Sequence, residues 1–562
     1  MNRRKRANQW QLFLLGLLLV VSLIAACGRS KGSSSSTSAQ DPNRLELIFS
    51  YGSEKEKWIK EVTEKFNQAQ NKTPSGKTIF VSAIAMGSGE SIDEILTEKR
   101  KPHLTSPASA AFITLGNAQS RAKTGQDLVG QTDNLVLSPV VIAMWKPMAE
   151  ALGWGKKPIG WSDILALSRD PRGWVAHGFP QWGRFKFGHT HPEYSNSGLI
   201  SLLAETYAAT GKRNGLTLAD VQRPQTAKYL GEIEKSVVHY GSSTGFFGRK
   251  MFDNGPQYLS AAVLYENMVI ESYSQSNLAF PVVAVYPKEG TFWSDHPIGI
   301  VNRDWVTPAH REAAATYIKF LLDRPQQERA IFYGFRPGVP EINLGSPLDT
   351  QHGIDPKEPK TTLEVPSADV MDAVIKQWRD NKKRANIVLV LDTSGSMQGE
   401  RIVNARVGAK SLISLLGAKD TFSLMPFSGQ SYWAIQSQTV GPIREKALAT
   451  VEGLFAAGGT ALYDSISSAY EFLRGQNNEN AIQAVVVLTD GEDTESRLKL
   501  EGLLQQIQFD SEKRTTRIFT IGYGKEANEK ALKAIADAAQ GRFYQGTPQN
   551  IDAVFREIST FF

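Results

Sequence analysis

Ile387-Val388-Leu389-Val390-Leu391 runs directly into Asp392-Thr393-Ser394-Gly395-Ser396. The unbroken apolar run reads as a strand buried on both faces, which is the signature of a parallel sheet covered by helices. Asp392, Ser394 and Ser396 then fall at its carboxyl end, where open α/β sheets bind ligands. Two later pieces repeat the logic. Gly458-Gly459-Thr460 supplies another hydroxyl, and a second buried strand, Ala484-Val485-Val486-Val487-Leu488, ends in Thr489-Asp490-Gly491. Asp392, Ser394, Ser396, Thr460 and Asp490 make a set of five oxygen-bearing side chains. Mg²⁺ seeks about six hard oxygens and keeps several waters, so neutral hydroxyls and outer carboxylates suit it; Mn²⁺ and Ca²⁺ are the alternatives. No Cys or His lies near, which argues against zinc. Any one piece also reads as a turn or helix cap, and it is the three in order that carry the metal reading.

With these residues, the segment 385–562 resembles the von Willebrand factor A domain and its metal-ion-dependent adhesion site. The resemblance implies that Ser394 and Ser396 bind the metal through their hydroxyls. Thr460 would bind directly or through water, and Asp392 and Asp490 largely through water. An open sixth position would take an acidic side chain from a partner protein. Arg517 to Gly524 reads as a further strand between helical stretches around 498–507 and 528–539, and alternating strand and helix means a parallel, doubly wound, Rossmann-like sheet.

The chain opens with Arg3, Arg4, Lys5 and Arg6, then an apolar stretch from Leu12 to Ala26 broken only by Gly16 and Ser22. Residues 1–26 read as a secretion signal; the run is short of the ~20 residues that span a bilayer. Leu23-Ile24-Ala25-Ala26-Cys27 resembles the bacterial lipobox, which implies lipid attachment at Cys27 and a membrane anchor. Cys27 is the one cysteine of the sequence, so no internal disulfide competes for it. Residues 27–44, rich in Ser, form a tether. The formal net charge is +6; the four basic residues of the leader leave +2 on the mature chain, which gives no reason to invoke nucleic acid.

Residues 45–345 alternate strands and helices without a second D-x-S-x-S. Leu45 to Ser50 and Thr78 to Ile84 read as strands and Glu54 to Ala69 as a helix, while Gly87-Ser88-Gly89-Glu90-Ser91 and His191-Pro192-Glu193-Tyr194-Ser195-Asn196-Ser197-Gly198 open helices. With Trp161-Ser162-Asp163-Ile164-Leu165, Tyr286-Pro287-Lys288-Glu289-Gly290 and the Ala313 to Leu321 helix, this order resembles a bacterial extracellular solute-binding protein of the two-lobed periplasmic type. That implies lobe boundaries near 140 and 280 and a cleft between lobes. Helix starts present unpaired N–H groups and suit anions, so Ser88, Gly89, Ser195, Asn196 and Ser197 are the candidate contacts for a small anionic or polar solute. Arg184, Lys186, His189 and His191 precede the second start and would favour a carboxylate or oxyanion; His189-Thr190-His191 reads as an exposed loop. Residues 346–384 form a linker, punctuated by Pro347, Gly353, Pro356 and Pro359, and a connecting helix from Ser367 to Asn381.

The expected protein is therefore an α/β lipoprotein of the cell envelope, extracytoplasmic and membrane-tethered. It would bind a protein partner through Mg²⁺ and a small solute through its first module. A solute receptor of an ABC-type transport system is the alternative. No nucleophile elbow, phosphate loop or acid–base pair points to an enzyme. If Cys27 carries the anchor, Cys27→Ser abolishes palmitate labelling and leaves the leader uncleaved; equal labelling and mass in both chains would refute it.

Overall fold

The computed structural model describes residues 43–562 apart from 477, 479–480, 509–515 and 525; Cys27, the leader and most of the tether lie outside these residues. Three sheets organise the chain. The first has the order Thr78–Met86, Arg44–Gly52, Leu104–Ser106, Pro297–Val301, Val129–Asn134. The second runs Trp293–Ser294, Val136–Trp145, Ala261–Tyr265, Phe187–Thr190, Val237–Gly241, with Val282–Val285 and Arg336–Pro337 both paired to Val136–Trp145. The chain thus changes lobe at Leu135 and again at Asp295 and His296, where Leu135 N–H donates to His296 O at 3.2 Å. The expected second boundary, near 280, falls short of this crossing. Val282–Val285, just past the expected boundary, is an antiparallel partner of Ile142 to Trp145 in the second sheet.

The third sheet has the order Ile435–Thr439, Thr421–Phe427, Arg384–Asp392, Ala481–Thr489, Arg517–Tyr523, Phe543–Gly546. All its pairings are parallel except that of Ile435–Thr439. Arg384–Asp392 is central, and the strand order reverses beside it, so its carboxyl end is a topological switch point. Val388 and Val390 pack on one face, Ile387, Leu389 and Leu391 on the other, all fully buried. Helices such as Glu400–Leu415 and Leu462–Gln476 cover the faces.

The segment 346–384 is not a free linker. Gly353 O accepts from Ala284 N–H at 2.8 Å, Leu363 N–H donates to Thr291 O at 2.8 Å, and Leu348, Ile354 and Leu363 are buried. The connecting helix, Ala368–Asn381, packs on Asn196–Thr210 and Pro224–Glu234 of the second lobe and on Ala110–Thr124 of the first. Its Trp378 stands 4.9 Å from His191 and 5.2 Å from Tyr240, ring to ring.

The domain of the third sheet also docks on both lobes. Lys99 and Asp93 of the first lobe pair with Asp552 at 3.1 Å and Arg556 at 3.4 Å. In the second lobe, Tyr240 N–H donates to Phe561 O at 3.2 Å and Lys250 Nζ to Gly541 O at 3.0 Å. The Phe561 ring lies between His239, at 5.5 Å, and Phe519, at 4.8 Å. The ion pairs are partly exposed and contribute little each; the buried aromatic contact carries the docking. Phe561→Ala should therefore cost about 3 kcal/mol and split urea unfolding into two transitions; a single unshifted transition would show that the modules do not depend on this ring.

Candidate functional site

Two clusters of polar side chains merit description. The first lies at the carboxyl ends of the central strands in the third sheet. Asp392 ends one strand and Asp490 follows its neighbour, and both are fully buried. Asp392 Oδ1 accepts from Ser394 N–H at 2.8 Å and Oδ2 from Thr489 Oγ1 at 2.5 Å. The oxygen pair Ser394 Oγ and Ser396 Oγ is 2.9 Å apart, and Ser396 Oγ donates to Asp490 Oδ1 at 2.7 Å. Burial raises the Asp392 pKa, with the hydrogen bonds from Thr489 and Ser394 opposing it. The cluster opens to solvent at Ser396, which is exposed while Ser394 is not.

The Gly458-Gly459-Thr460 loop is fastened to this cluster through the backbone. Gly395 N–H donates to Gly458 O at 2.9 Å and Ala457 N–H to Thr393 O at 2.8 Å. Gly458 has φ +90°, a conformation that side chains resist. Thr460 is buried; its N–H donates to Thr494 Oγ1 at 3.0 Å and its carbonyl accepts from Thr494 N–H at 2.8 Å. Of the five residues expected from the sequence, Asp392, Ser394, Ser396 and Asp490 thus stand in one hydrogen-bonded group or at its backbone, and the loop that carries Thr460 is fastened beside it through Gly458. The structure adds two groups that the sequence reading passed over. Thr489 holds the second oxygen of Asp392. Arg401 donates from Nη1 to Asp490 Oδ2 at 2.6 Å and from Nη2 to Glu526 Oε2 at 2.7 Å. Arg401 sits in the first turn of Glu400–Leu415, five residues past Ser396, and that proximity was the one available signal. Among the described residues no three or more His, Cys, Asp and Glu come together so as to hold a metal ion; this cluster has two carboxylates, and the other oxygen-bearing side chains in it are hydroxyls.

The second cluster lies where the lobes meet. The two helix starts touch: Gly89 and Glu90 N–H donate to Tyr194 O at 3.0 and 3.2 Å. A Cβ on Gly89 would stand 1.9 Å from Glu193 O, so glycine is required for this closeness. Ser88 Oγ accepts from Ala108 N–H at 2.9 Å. Asn196 accepts from Ser109 Oγ at 2.6 Å and donates to Tyr265 OH at 2.9 Å. Ser195 Oγ lies 3.2 Å from Thr244 Oγ1, and Ser197 Oγ lies 2.8 Å from Thr190 Oγ1. Ser88, Gly89, Ser195, Asn196 and Ser197 are all buried, and the donors expected to meet a solute bond to the chain itself in this closed arrangement.

Two of the basic residues expected around the second start, His189 and Lys186, bond elsewhere, whereas His191 Nδ1 stays there and accepts from Glu193 N–H at 3.4 Å. His189-Thr190 belongs to the buried strand Phe187–Thr190, not to an exposed loop, because the polar atoms find partners inside the lobe. His189 Nε2 lies 2.9 Å from Glu234 Oε1, and Lys186 Nζ donates to Gln257 O at 2.7 Å. Burial lowers His191 to about 3. At the lobe crossing, the fully buried Lys55 Nζ donates to Glu54 Oε1 at 2.7 Å and lies 3.1 Å from His296 Nδ1. His296 has φ +38°, a strained region for a side-chain-bearing residue. Its Nε2 and the nearby Ser106 Oγ are buried without a hydrogen-bond partner.

The family comparisons agree with this architecture. The family model for bacterial extracellular solute-binding proteins matches residues 47–336 and that for the von Willebrand factor type A domain matches residues 386–556. The chain belongs to the bacterial extracellular solute-binding protein family and carries a von Willebrand factor type A domain after its solute-binding domain. An uncharacterised protein of Synechocystis sp. is 32% identical over 187 residues, covering 32% of this chain and 42% of that protein. Inter-alpha-trypsin inhibitor heavy chain H4 of Sus scrofa is 26% identical over 156 residues, or 27% and 17% of the two chains. The chain thus spans less than half the length of these relatives. Among solved structures, a periplasmic thiamin binding protein covers 61% of this chain and 96% of its own, with TM-score 0.43 and 14% identity. A von Willebrand factor type A protein from Catenulispora acidiphila covers 32% and 43%, with TM-score 0.29 and 25% identity.

Burial lowers His296 to about 4, Lys55 adding to the effect; burial alone would raise Glu54, but Lys55 and His296 outweigh it and bring it to about 2. For both groups the folded pKa lies below the unfolded one, so the stability they contribute is complete at neutral pH. That of His296 is lost as pH falls from about 6.5 towards 4, and that of Glu54 at lower pH still. Between pH 6.5 and 4 the melting temperature should fall, and His296→Gln should remove up to about 3 kcal/mol of that loss. Parallel pH profiles for the two chains would place the acid sensitivity outside this hinge.

Proposed function

We propose that this chain is an extracytoplasmic binding protein. Its von Willebrand module recognises a protein partner through a divalent cation, Mg²⁺ first, held by Asp392, Ser394, Ser396, Thr460 and Asp490. One observation carries the reading: two buried carboxylates and two adjoining serine hydroxyls converge on one solvent-facing opening at a sheet switch point. Hard oxygens, mostly neutral and without nitrogen or sulfur, fit Mg²⁺ or Mn²⁺ rather than zinc. The cation supplies positive charge for an acidic side chain of the partner, and the chain's residues orient it and keep one side open.

The surface beside the opening supports a protein partner. Phe455 is 77% exposed, and the next residues, Ala456 and Ala457, are bonded to Gln398 and Thr393 of the metal loop. Val403 and Val407, on the helix that follows that loop, are 53% and 45% exposed. Adjoining exposed apolar side chains mark interaction surfaces more often than isolated ones do, and an aromatic anchor beside a charged group is what hot spots are made of.

In this reading the solute-binding domain holds a small polar solute at the lobe crossing. The unpartnered His296 Nε2 and Ser106 Oγ favour such a ligand, because buried polar groups are otherwise satisfied. The solute would enter by parting the lobes and breaking the Ser109–Asn196 and Gly89–Tyr194 contacts. The domain's family supports an extracytoplasmic location, and among the described residues no helix is long and apolar enough to cross a membrane. Lipid anchoring through Cys27 would hold the chain at the envelope.

Metal that binds the native state alone raises its stability by mass action, about 2.7 kcal/mol at a hundred times Kd. MnCl₂ or MgCl₂ should therefore raise the melting temperature of the parent and not of an Asp392→Ala, Ser394→Ala double variant. An equal rise in both chains, or none in either, would refute the site.

A further inference from the structure

We propose that Arg401 is a built-in counter-cation that competes with the divalent ion for Asp490, and that it must release this carboxylate before the metal is fully bound. The proposal rests on the metal reading above and concerns what sets the strength of that site.

The geometry is specific. Of the four carboxylate oxygens, three are held by neutral groups of the loops themselves: the Ser394 N–H, the Thr489 hydroxyl and the Ser396 hydroxyl. The fourth, Asp490 Oδ2, is held at 2.6 Å by a charged group on a long, movable side chain. Asp490 is fully buried, whereas the Arg401 side chain is 34% exposed and the Glu526 side chain at its other end is 70% exposed. The guanidinium therefore spans from the floor of the site to solvent. It has a second carboxylate to which it can remain bound when it leaves the first.

Charge decides the consequence. A buried carboxylate without a partner is strongly disfavoured, and Arg401 removes that penalty for Asp490. With Arg401 in place, Asp392, Asp490 and the guanidinium sum to one negative charge rather than two. A dication entering the opening meets less attraction from Asp490 and direct repulsion from the guanidinium. One acceptor direction of Asp490 Oδ2 is also already taken by the guanidinium. When Arg401 swings to Glu526, both carboxylates face the ion. Arg401 thus keeps the metal-free module stable and holds its metal affinity down. An acidic partner that draws Arg401 away would tighten the metal at the moment of recognition.

The test is titration of the full chain with MnCl₂ by calorimetry, in the parent and in R401Q, R401K and E526Q, with melting temperatures recorded in chelator and in saturating Mn²⁺. R401Q should bind Mn²⁺ at least ten-fold tighter than the parent and melt lower in chelator, the gap closing with metal. R401K keeps the charge and should stay within a few-fold of the parent. E526Q, at an exposed position that leaves the fold intact, deprives the displaced guanidinium of its other acceptor and should weaken Mn²⁺ binding several-fold. Equal or weaker binding by R401Q, or an E526Q affinity unchanged from the parent, overturns the competition. Absence of Mn²⁺ binding in the parent and R401Q alike would instead refute the metal reading on which it rests.

Discussion

Two carboxylates buried side by side at the ends of adjacent parallel strands impose the central constraint on the von Willebrand module. Asp392 and Asp490 are both inaccessible to solvent, and a buried charge persists only where hydrogen bonds and countercharge hold it. The surrounding loops meet that requirement. The Ser394 backbone, the Thr489 hydroxyl, Ser396 and Arg401 each hold one carboxylate oxygen. The Gly458 loop is tied on through Gly395 and Thr393. Strand order explains why the two acids meet at all: the sheet reverses direction of growth beside Arg384–Asp392, leaving a crevice at its carboxyl end.

The same accounting applies where the lobes meet, with a different outcome. There the polar groups of the helix starts satisfy one another: Gly89 N–H bonds to Tyr194 O, and Ser109, the cap of Ala110–Thr124, bonds to Asn196. The connecting helix and the residues around Asp552 and Phe561 contact both lobes from outside. Any parting of the lobes must therefore disturb the docking of the third sheet. The contacts between the lobes and the contacts that seat the von Willebrand module are thus made by the same two lobes through different residues.

Much of this was legible in residue order. Unbroken β-branched runs such as Ala484 to Leu488 mark strands covered on both faces, and the positions of Asp392, Ser394, Ser396 and Asp490 follow directly from those strand ends. The lobe boundary near 280 was not, because the short strand Val282–Val285 is flanked by Pro281 and Pro287 and pairs with a strand about 140 residues earlier. Nor were the directions of His189 and Lys186. Their proximity in sequence to a helix start resembled an anion site, yet their partners, Glu234 and Gln257, lie 45 and 71 residues away.

By itself the sequence determined the order of the modules, the parallel α/β character of the third sheet and the placing of Asp392 and Asp490 at the ends of adjacent strands. Those properties are written in local periodicity and in short motifs whose meaning depends on the next few residues. Tertiary structure alone decided that Arg401 rests on Asp490, that the two helix starts close on each other, and that Phe561 seats the third sheet against the second lobe. Each of these joins residues dozens to hundreds of positions apart, where no periodicity reaches and only the balance of burial, charge and packing in three dimensions selects the partner.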